Sequence, residues 1–307
     1  MTDRETFESL RPRLFGIAYR MLGSASDAED VVQEAFLRYH RACDQGVTIG
    51  SPRAWLSASV TRLAIDHLRS ARVRREHYVG MWLPEPLVGD AGEPDASVAA
   101  EAAESLSMAF LLLLERLGPV ERAAFLLHDV FGYGYDEIAG IVGKSEDNCR
   151  QLAARARRRV RQDRPRYEAT PQQRDALAAR FFAGVQSGDL DGLVRLLAAD
   201  IVVHGDGGGK APQWSRPIEG AVAVARLFVG LGRQIATLGL TLERCRVNGQ
   251  PGAMVRDAEG RIVNVFSLDM DATSVRAIRS VINPDKLRHL GPVADAWALA
   301  GRTPSGN

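Results

Sequence analysis

Between Tyr135 and Arg166 the chain reads YDEIAGIVGKSEDNCRQLAARARRRVRQDRPR, and few folds accommodate it. Tyr135 to Gly143 has the pattern of a short amphipathic helix, Gly143 and Lys144 form a tight turn, and Ser145 is placed to cap a second helix. Two short helices joined this way make a helix-turn-helix, whose second helix enters the major groove of DNA. From Arg150 to Arg166 there are eight arginines and one acid, Asp163. A solvated helix face usually carries acids one turn from its cations, and this one does not, so the block reads as a phosphate-binding footprint. Ser145, Glu146, Asn148, Arg150 and Gln151 start the second helix and are placed to meet base edges; Arg155, Arg157 and Arg158 lie nearer phosphates.

The rest of the chain is too long to serve this motif alone. Its 307 residues suggest two or three domains, and 46% hydrophobic with 25% charged residues fits a soluble globular protein. The longest apolar run, MAFLLLL, ends at Glu115, and the amino-terminal MTDRETFESLRPRL lacks the apolar core of a signal peptide, so a cytoplasmic location is expected. Cys43, Cys149 and Cys245 are odd in number and widely spaced, which fits neither a disulfide framework nor a zinc knuckle. No metal or cofactor is expected.

Three units are predicted. Residues 1–75 are helical throughout, with Ser24 or Ser26 capping a second helix and Ser51-Pro52 opening a third. In the second helix Ala28, Val31, Val32, Ala35, Phe36 and Tyr39 form the buried stripe, leaving Asp30, Gln33, Glu34 and Leu37 on the other face. Leu37 is either a chance exposure or the apolar centre of a protein contact. The third helix follows Trp55 with Arg62, Arg69, Arg72, Arg74 and Arg75 and a single acid, Asp66. Trp55 is either a core residue or a platform for an unpaired base. Residues 101–166 form the second helical unit, which ends in the helix-turn-helix.

Residues 76–100 join these two units and contain YVGMWLPEPL. Pro84 and Pro86 exclude a regular helix or central strand. Tyr78, Met81, Trp82, Leu83 and Leu87 are more apolar area than a free spacer needs. The stretch is therefore expected to dock, with Trp82 and Leu83 buried against the last unit and Glu85 available to Lys210 or Lys286. Asp90 to Glu104, small and acidic, reads as mobile.

The last unit, residues 170–307, mixes two long helical patterns with strands. IVVH, LTLERCRV, AMVRD, RIVNVFSLDM and SVRAIRSVI read as strands, with turns at Asn248-Gly249 and Asp257 to Gly260. Helices on one curved antiparallel sheet give an α+β cone. His204, Asp206, Lys210 and Asp269 are candidates for acid–base chemistry at a cavity mouth; the alternative is that His204 ends a strand and DGGGK is a glycine-dependent turn. GDGGGK lacks the spacing and strand-to-helix setting of a phosphate loop. A structural or regulatory role is expected over catalysis.

Taken together, DAEDVVQEAFLRYHR, SPRAWLSASVTRLAIDHLR and the helix-turn-helix ending LAARARRRVR resemble bacterial sigma factors of the extracytoplasmic-function group over about the first 165 residues. FFAGVQSGDLDGLVRLLAADIVVHGDGGG resembles the SnoaL-like fold. Sigma factors with a fused SnoaL-like domain share a linker like YVGMWLPEP, a turn like DGGGK and a helix start like NPDKL, and all three occur here, with Met81 where proline is expected. The resemblance implies two all-α domains followed by an α+β SnoaL-like cone. It places Asp30, Gln33, Glu34 and Leu37 against the clamp helices of the polymerase beta-prime subunit. Arg53, Trp55, Arg62 and Arg69 fall on the minus-ten element, with a flipped base to hold, and the helix-turn-helix falls on the minus-thirty-five element.

It further implies that the cone replaces a separate anti-sigma partner, using Trp82, Leu83, Pro84, Glu85, Asp206, Lys210, Asn283, Asp285 and Lys286. A small-molecule ligand in the cone stays open. Two rival readings are a SnoaL-like cyclase or isomerase with a DNA-binding appendage and a one-component, ligand-responsive repressor. Both leave the helices before Arg75 unexplained.

Overall fold

The second and third helices each begin where a serine side chain satisfies an orphan backbone donor. α1 (Asp3–Leu22) leads into α2 (Ala25–Asp44), where Ser24 Oγ accepts from the Asp27 amide at 3.0 Å, and α3 (Pro52–Arg75) starts where Ser51 Oγ accepts from Ala54 at 3.3 Å. This computed structural model describes residues 3–75, 78–89, 105–163, 169–214 and 216–301; the acidic stretch expected to be mobile lies outside them, as do the side chains of Arg72, Arg74 and Arg75. The chain divides into two units, one combining Met1–His77 with Phe110–Arg164 and the other Tyr78–Ala109 with Pro165–Asn307.

In the first unit α1, α2 and α3 share a core that includes Leu14, Ala18, Val32, Ala35, Leu56 and Val60, all at 1% exposure or less. α4 (Met108–Glu115) and α5 (Pro119–Phe125) follow, then a π-helical turn (Leu126–Val130), α6 (Tyr135–Val142) and α7 (Glu146–Asp163). Arg122 is buried, donates to Met21 O and Glu115 Oε1, and so ties α5 to the end of α1. Desolvation lowers its pKa to about 10, which still leaves it charged at neutral pH.

In the second unit α8 (Pro171–Ser187), α9 (Leu190–Leu196) and α10 (Ala221–Thr237) pack on a seven-stranded sheet. Its strands are β1 (Val88–Gly89), β2 (Leu197–Asp206), β3 (Ile218–Glu219), β4 (Thr241–Val247), β5 (Gln250–Arg256), β6 (Ile262–Met270) and β7 (Val275–Val281), in the order β1-β4-β5-β6-β7-β2-β3. Phe181, Phe182, Phe228 and Phe266 form the aromatic centre of the core.

The sheet is mixed, where an antiparallel one was expected. β2 runs parallel to β7, with Val203 opposite Ile278 and Asp206 opposite Val281. Parallel pairing requires a long crossover, and the chain between these strands supplies one through β3, α10 and the three meander strands β4–β6. Asn248 and Gly249, at φ 52° and 72°, take the left-handed conformation that a two-residue hairpin needs. The linker itself adds edge strand β1, Val88 pairing with Val247 and Gly89 with Arg246. A short helix (Ala296–Gly301), α11, ends the described chain.

Candidate nucleic-acid surface and linker clasp

The helix-turn-helix is built by local backbone chemistry. Gly143, at φ 67°, donates to Ala139 O and terminates α6, and Ser145 Oγ then accepts from Asn148 at 3.3 Å to start α7. Cys149, Ala153, Ala156 and Val160 face the core, which leaves Ser145, Glu146, Asn148, Arg150 and Gln151 exposed along the first turns. Arg155 and Arg158 are exposed further along. Arg150 lies beside Glu146 and Asp147, at 3.2 and 3.1 Å. Arg157 departs from the expected pattern: it is half-buried and grips Asp129 through two hydrogen bonds of 2.7 and 3.0 Å. That fork–fork geometry makes it a clamp between α7 and the π-helical turn.

The expected minus-ten residues also separate. Arg53 is exposed, with its guanidinium 5.5 Å from the centre of the Tyr133 ring, and Arg69 sits by Asp66 at 3.2 Å. Trp55 is half-buried, edge-on to Tyr39 with ring centres 5.6 Å apart, so it belongs partly to the core. Arg62 donates to Gly140 O at 2.7 Å and Ile141 O at 2.9 Å, satisfying carbonyls at the end of α6. Tyr133, buried, donates to Ser57 Oγ at 2.7 Å, and Arg13 donates to Phe131 O at 2.6 Å. Within this unit, α3 and the helix-turn-helix are therefore packed on each other. On α2, Asp30, Gln33 and Leu37 are exposed and Glu34 pairs with Arg38 at 2.7 Å; Leu37 is 40% exposed.

The second unit holds the linker in a polar clasp. Asp206, fully buried at the end of β2, accepts from the Leu83 amide at 2.7 Å, from the Tyr78 hydroxyl and from Lys286 Nζ at 2.6 Å. Lys286 also donates to Leu83 O, and its ammonium lies 4.4 Å from the centre of the Trp82 ring and 4.8 Å from that of Tyr78. Asn283 donates to the Tyr78 oxygen at 2.8 Å. Burial first, then the hydrogen bond to Asp206, pushes the Tyr78 pKa up, keeping the phenol a donor. Leu83, Pro84 and Glu85 are buried, whereas Trp82 is half-buried, with the Lys286 ammonium over its ring.

Glu85 faces His289, 3.8 Å away, and Lys210 pairs with Asp285. The register of the linker decides this: His289 Nε2 donates to Pro86 O at 2.8 Å, which sets the preceding carboxylate beside the same ring. Tyr78, His289 and Asn248 were missing from the expected set. Asn248 accepts from Leu87 N at 3.0 Å and donates to Leu106 O at 2.9 Å, so a hairpin residue legible from its Asn-Gly sequence also fastens the linker.

The acid–base candidates do not line the cone's cavity. Val203 faces into it, so the strand period of two turns His204 and Asp206 to the other side of the sheet. Asp269 meets Arg279 there, and Lys210 lies outside the lining as well.

Three families match the sequence: sigma-70 region 2 over residues 6–74, sigma-70 region 4 over 107–160, and the SnoaL-like domain over 178–281. The ECF RNA polymerase sigma factor SigJ of Mycobacterium tuberculosis is 39% identical over 289 residues, covering 91% of each protein. The probable ECF RNA polymerase sigma factor SigI of the same organism is 33% identical over 281 residues, covering 90% of this chain and 92% of that protein. The crystal structure of the M. tuberculosis extracytoplasmic function sigma factor SigJ matches with a TM-score of 0.73 and 36% identity, over 94% of this chain and 99% of that one.

Proposed function

The chain belongs to the extracytoplasmic-function RNA polymerase sigma factors, and on that premise we propose that its own SnoaL-like domain controls promoter recognition by gripping the linker between regions 2 and 4. A sigma factor binds core RNA polymerase and promoter DNA and acts as an initiation factor, not an enzyme. Within that role, exposed Asp30, Gln33 and Leu37, with Glu34, are the face for the beta-prime clamp helices. The start of α7 reads the minus-thirty-five element, and α3 with the loop before it serves the minus-ten element. No helix among the described residues is long and apolar enough to cross a membrane, in keeping with action in the cytoplasm.

The observation that carries the regulatory reading is the two-ended hold on one residue: Leu83 N–H is bound by Asp206 and Leu83 C=O by Lys286. A linker held this way cannot extend freely. The bonds from Arg62 to α6 and from Tyr133 to Ser57 join the DNA-reading helices to each other, an arrangement suited to a closed state. Releasing the linker shifts the population toward separated regions that span both promoter elements. The cone thus does the work of an anti-sigma partner within the same chain.

Run-off transcription with purified core polymerase tests this. Lys286→Met should loosen the linker and raise promoter-specific product from the full-length protein. Unchanged product from a folded variant in which the Leu83 amide exchanges faster would overturn the regulatory reading while leaving sigma function intact.

A further inference from the structure

The cone holds a partly open cavity of about 540 Å³ that the clasp does not use. Its wall is mainly aromatic and aliphatic, with Phe181, Phe228 and Phe266 on the core side and Leu231 and Ile235 from α10. None of the described residues lining it carries a titratable carboxylate, imidazole, amine or guanidinium. Such a space disfavours a charged guest, which would lose its hydration without a counter-ion. Few of the lining side chains carry an amide or hydroxyl, namely Gln213, Gln234, Asn264 and Ser280, and the last two bond to each other. Asn264 Nδ2 donates to Ser280 Oγ at 2.7 Å, which leaves the Asn264 carbonyl and the Ser280 hydroxyl hydrogen for a guest. An apolar wall with a small convergent polar cluster, in this volume range, is the form of a small-molecule site.

The loop after β2 belongs to both this cavity and the clasp. Gly208 and Gly209, at φ 57° and 71°, pass so close to the linker that a Cβ on Gly208 would lie 2.8 Å from the Tyr78 oxygen and one on Gly209 3.3 Å from Val79. Lys210 O then accepts from Trp297 Nε1 on α11 at 3.1 Å. Pro212, Gln213 and Trp214 turn inward and line the cavity, where Leu299 of α11 meets them from the adjoining wall. Eight residues, 207–214, therefore touch the linker at one end and a guest's space at the other.

We propose that this cavity binds a neutral, mainly apolar small molecule bearing a hydroxyl, keto or amide group, and that binding tightens the hold on the linker through the 207–214 loop. A guest packed against Pro212, Gln213 and Trp214 restrains the loop, so less ordering remains for the linker to impose when it docks. The coupling rests on the regulatory reading above; the binding site does not.

The probe is 1-N-phenylnaphthylamine, neutral and fluorescent in apolar surroundings, titrated into the full-length protein. Saturable binding is expected. The related 1-anilinonaphthalene-8-sulfonate, which adds a charge, should bind about tenfold more weakly or worse. Leu231→Trp should fill the cavity and abolish binding; Leu299→Trp blocks the same space from α11 and serves where Leu231→Trp loses the fold. With phenylnaphthylamine saturating, the Leu83 amide should exchange with deuterium several-fold more slowly. Non-saturable binding, or binding that survives both tryptophan variants, overturns the site; unchanged or faster Leu83 exchange at saturation overturns the coupling. Neither readout involves polymerase, so a failure here is distinct from a failure of the transcription test.

Discussion

Asp206 and Lys286 form a buried ion pair, 2.6 Å apart, that closes around the Leu83 backbone from both sides. The pair supplies an acceptor for the Leu83 N–H and a donor for the Leu83 C=O, one in each flanking peptide group. Both charges thus find partners beyond each other, the condition under which a buried ion pair is tolerated.

Removing one member strands the other. Lys286→Met or Asp206→Asn should each destabilise the docked linker by about 3 to 5 kcal/mol, the range for breaking a buried pair. The double variant should lose less than the sum of the two. Hydrogen exchange at Leu83 measures the docked state, and additive losses would show that the two groups act separately.

The arginines of α7 should divide by their neighbours. Arg158, exposed, should reduce the slope of log affinity against log salt by about 0.9 when changed to alanine, weakening all DNA sequences alike. Arg157, held by Asp129, should instead lower thermal stability and leave that slope nearly unchanged. Arg150→Ala should cost about 1 to 3 kcal/mol and relax specificity at one position if its guanidinium leaves Glu146 for a guanine edge. Equal salt slopes across Arg150, Arg157 and Arg158 would contradict this division.

Leu37 is an exposed leucine on α2, opposite the buried stripe. Leu37→Glu should weaken core polymerase binding while the melting temperature stays within a few degrees. Normal retention on immobilised core polymerase by the folded variant would remove Leu37 from the contact face.

His204 provides a pH test of the cone. Its Nδ1 is buried with no hydrogen-bond partner among the described residues, and burial, followed by the nearby Arg279 charge, lowers its pKa below the ordinary value of about 6.5. A histidine held neutral by folding contributes stability above the unfolded pKa and loses it as pH falls through that value toward the folded one. The urea midpoint should therefore fall as the pH drops below about 6.5, and His204→Gln should flatten that fall. An equal drop in the variant would assign the pH dependence to other groups.

Features set by neighbouring residues were legible in the sequence. Gly143-Lys144-Ser145 and Asn248-Gly249 carry their own backbone instructions, and the apolar content of YVGMWLPEPL pointed to a docked segment. Features set by distant pairing were not. The parallel match of β2 with β7 depends on how a long crossover returns, and the inward face of β2 depends on which parity the core selects. Once Val203 faces the cavity, His204 and Asp206 cannot, and Asp206 becomes the buried centre of the clasp. Arg157 shows the same limit: a charge read along one helix gains an acid, Asp129, from another element.

The most direct test of control through the linker compares Trp82→Ala in two proteins, the full-length chain and a chain ending at residue 166, by run-off transcription with the same core polymerase and promoter. Trp82 lies under the Lys286 ammonium, so its loss should weaken the clasp and raise product in the full-length protein. In the shorter chain the lysine is gone, and the substitution should change product little. Equal changes in both proteins would mean that Trp82 acts on polymerase or DNA directly and would contradict the account.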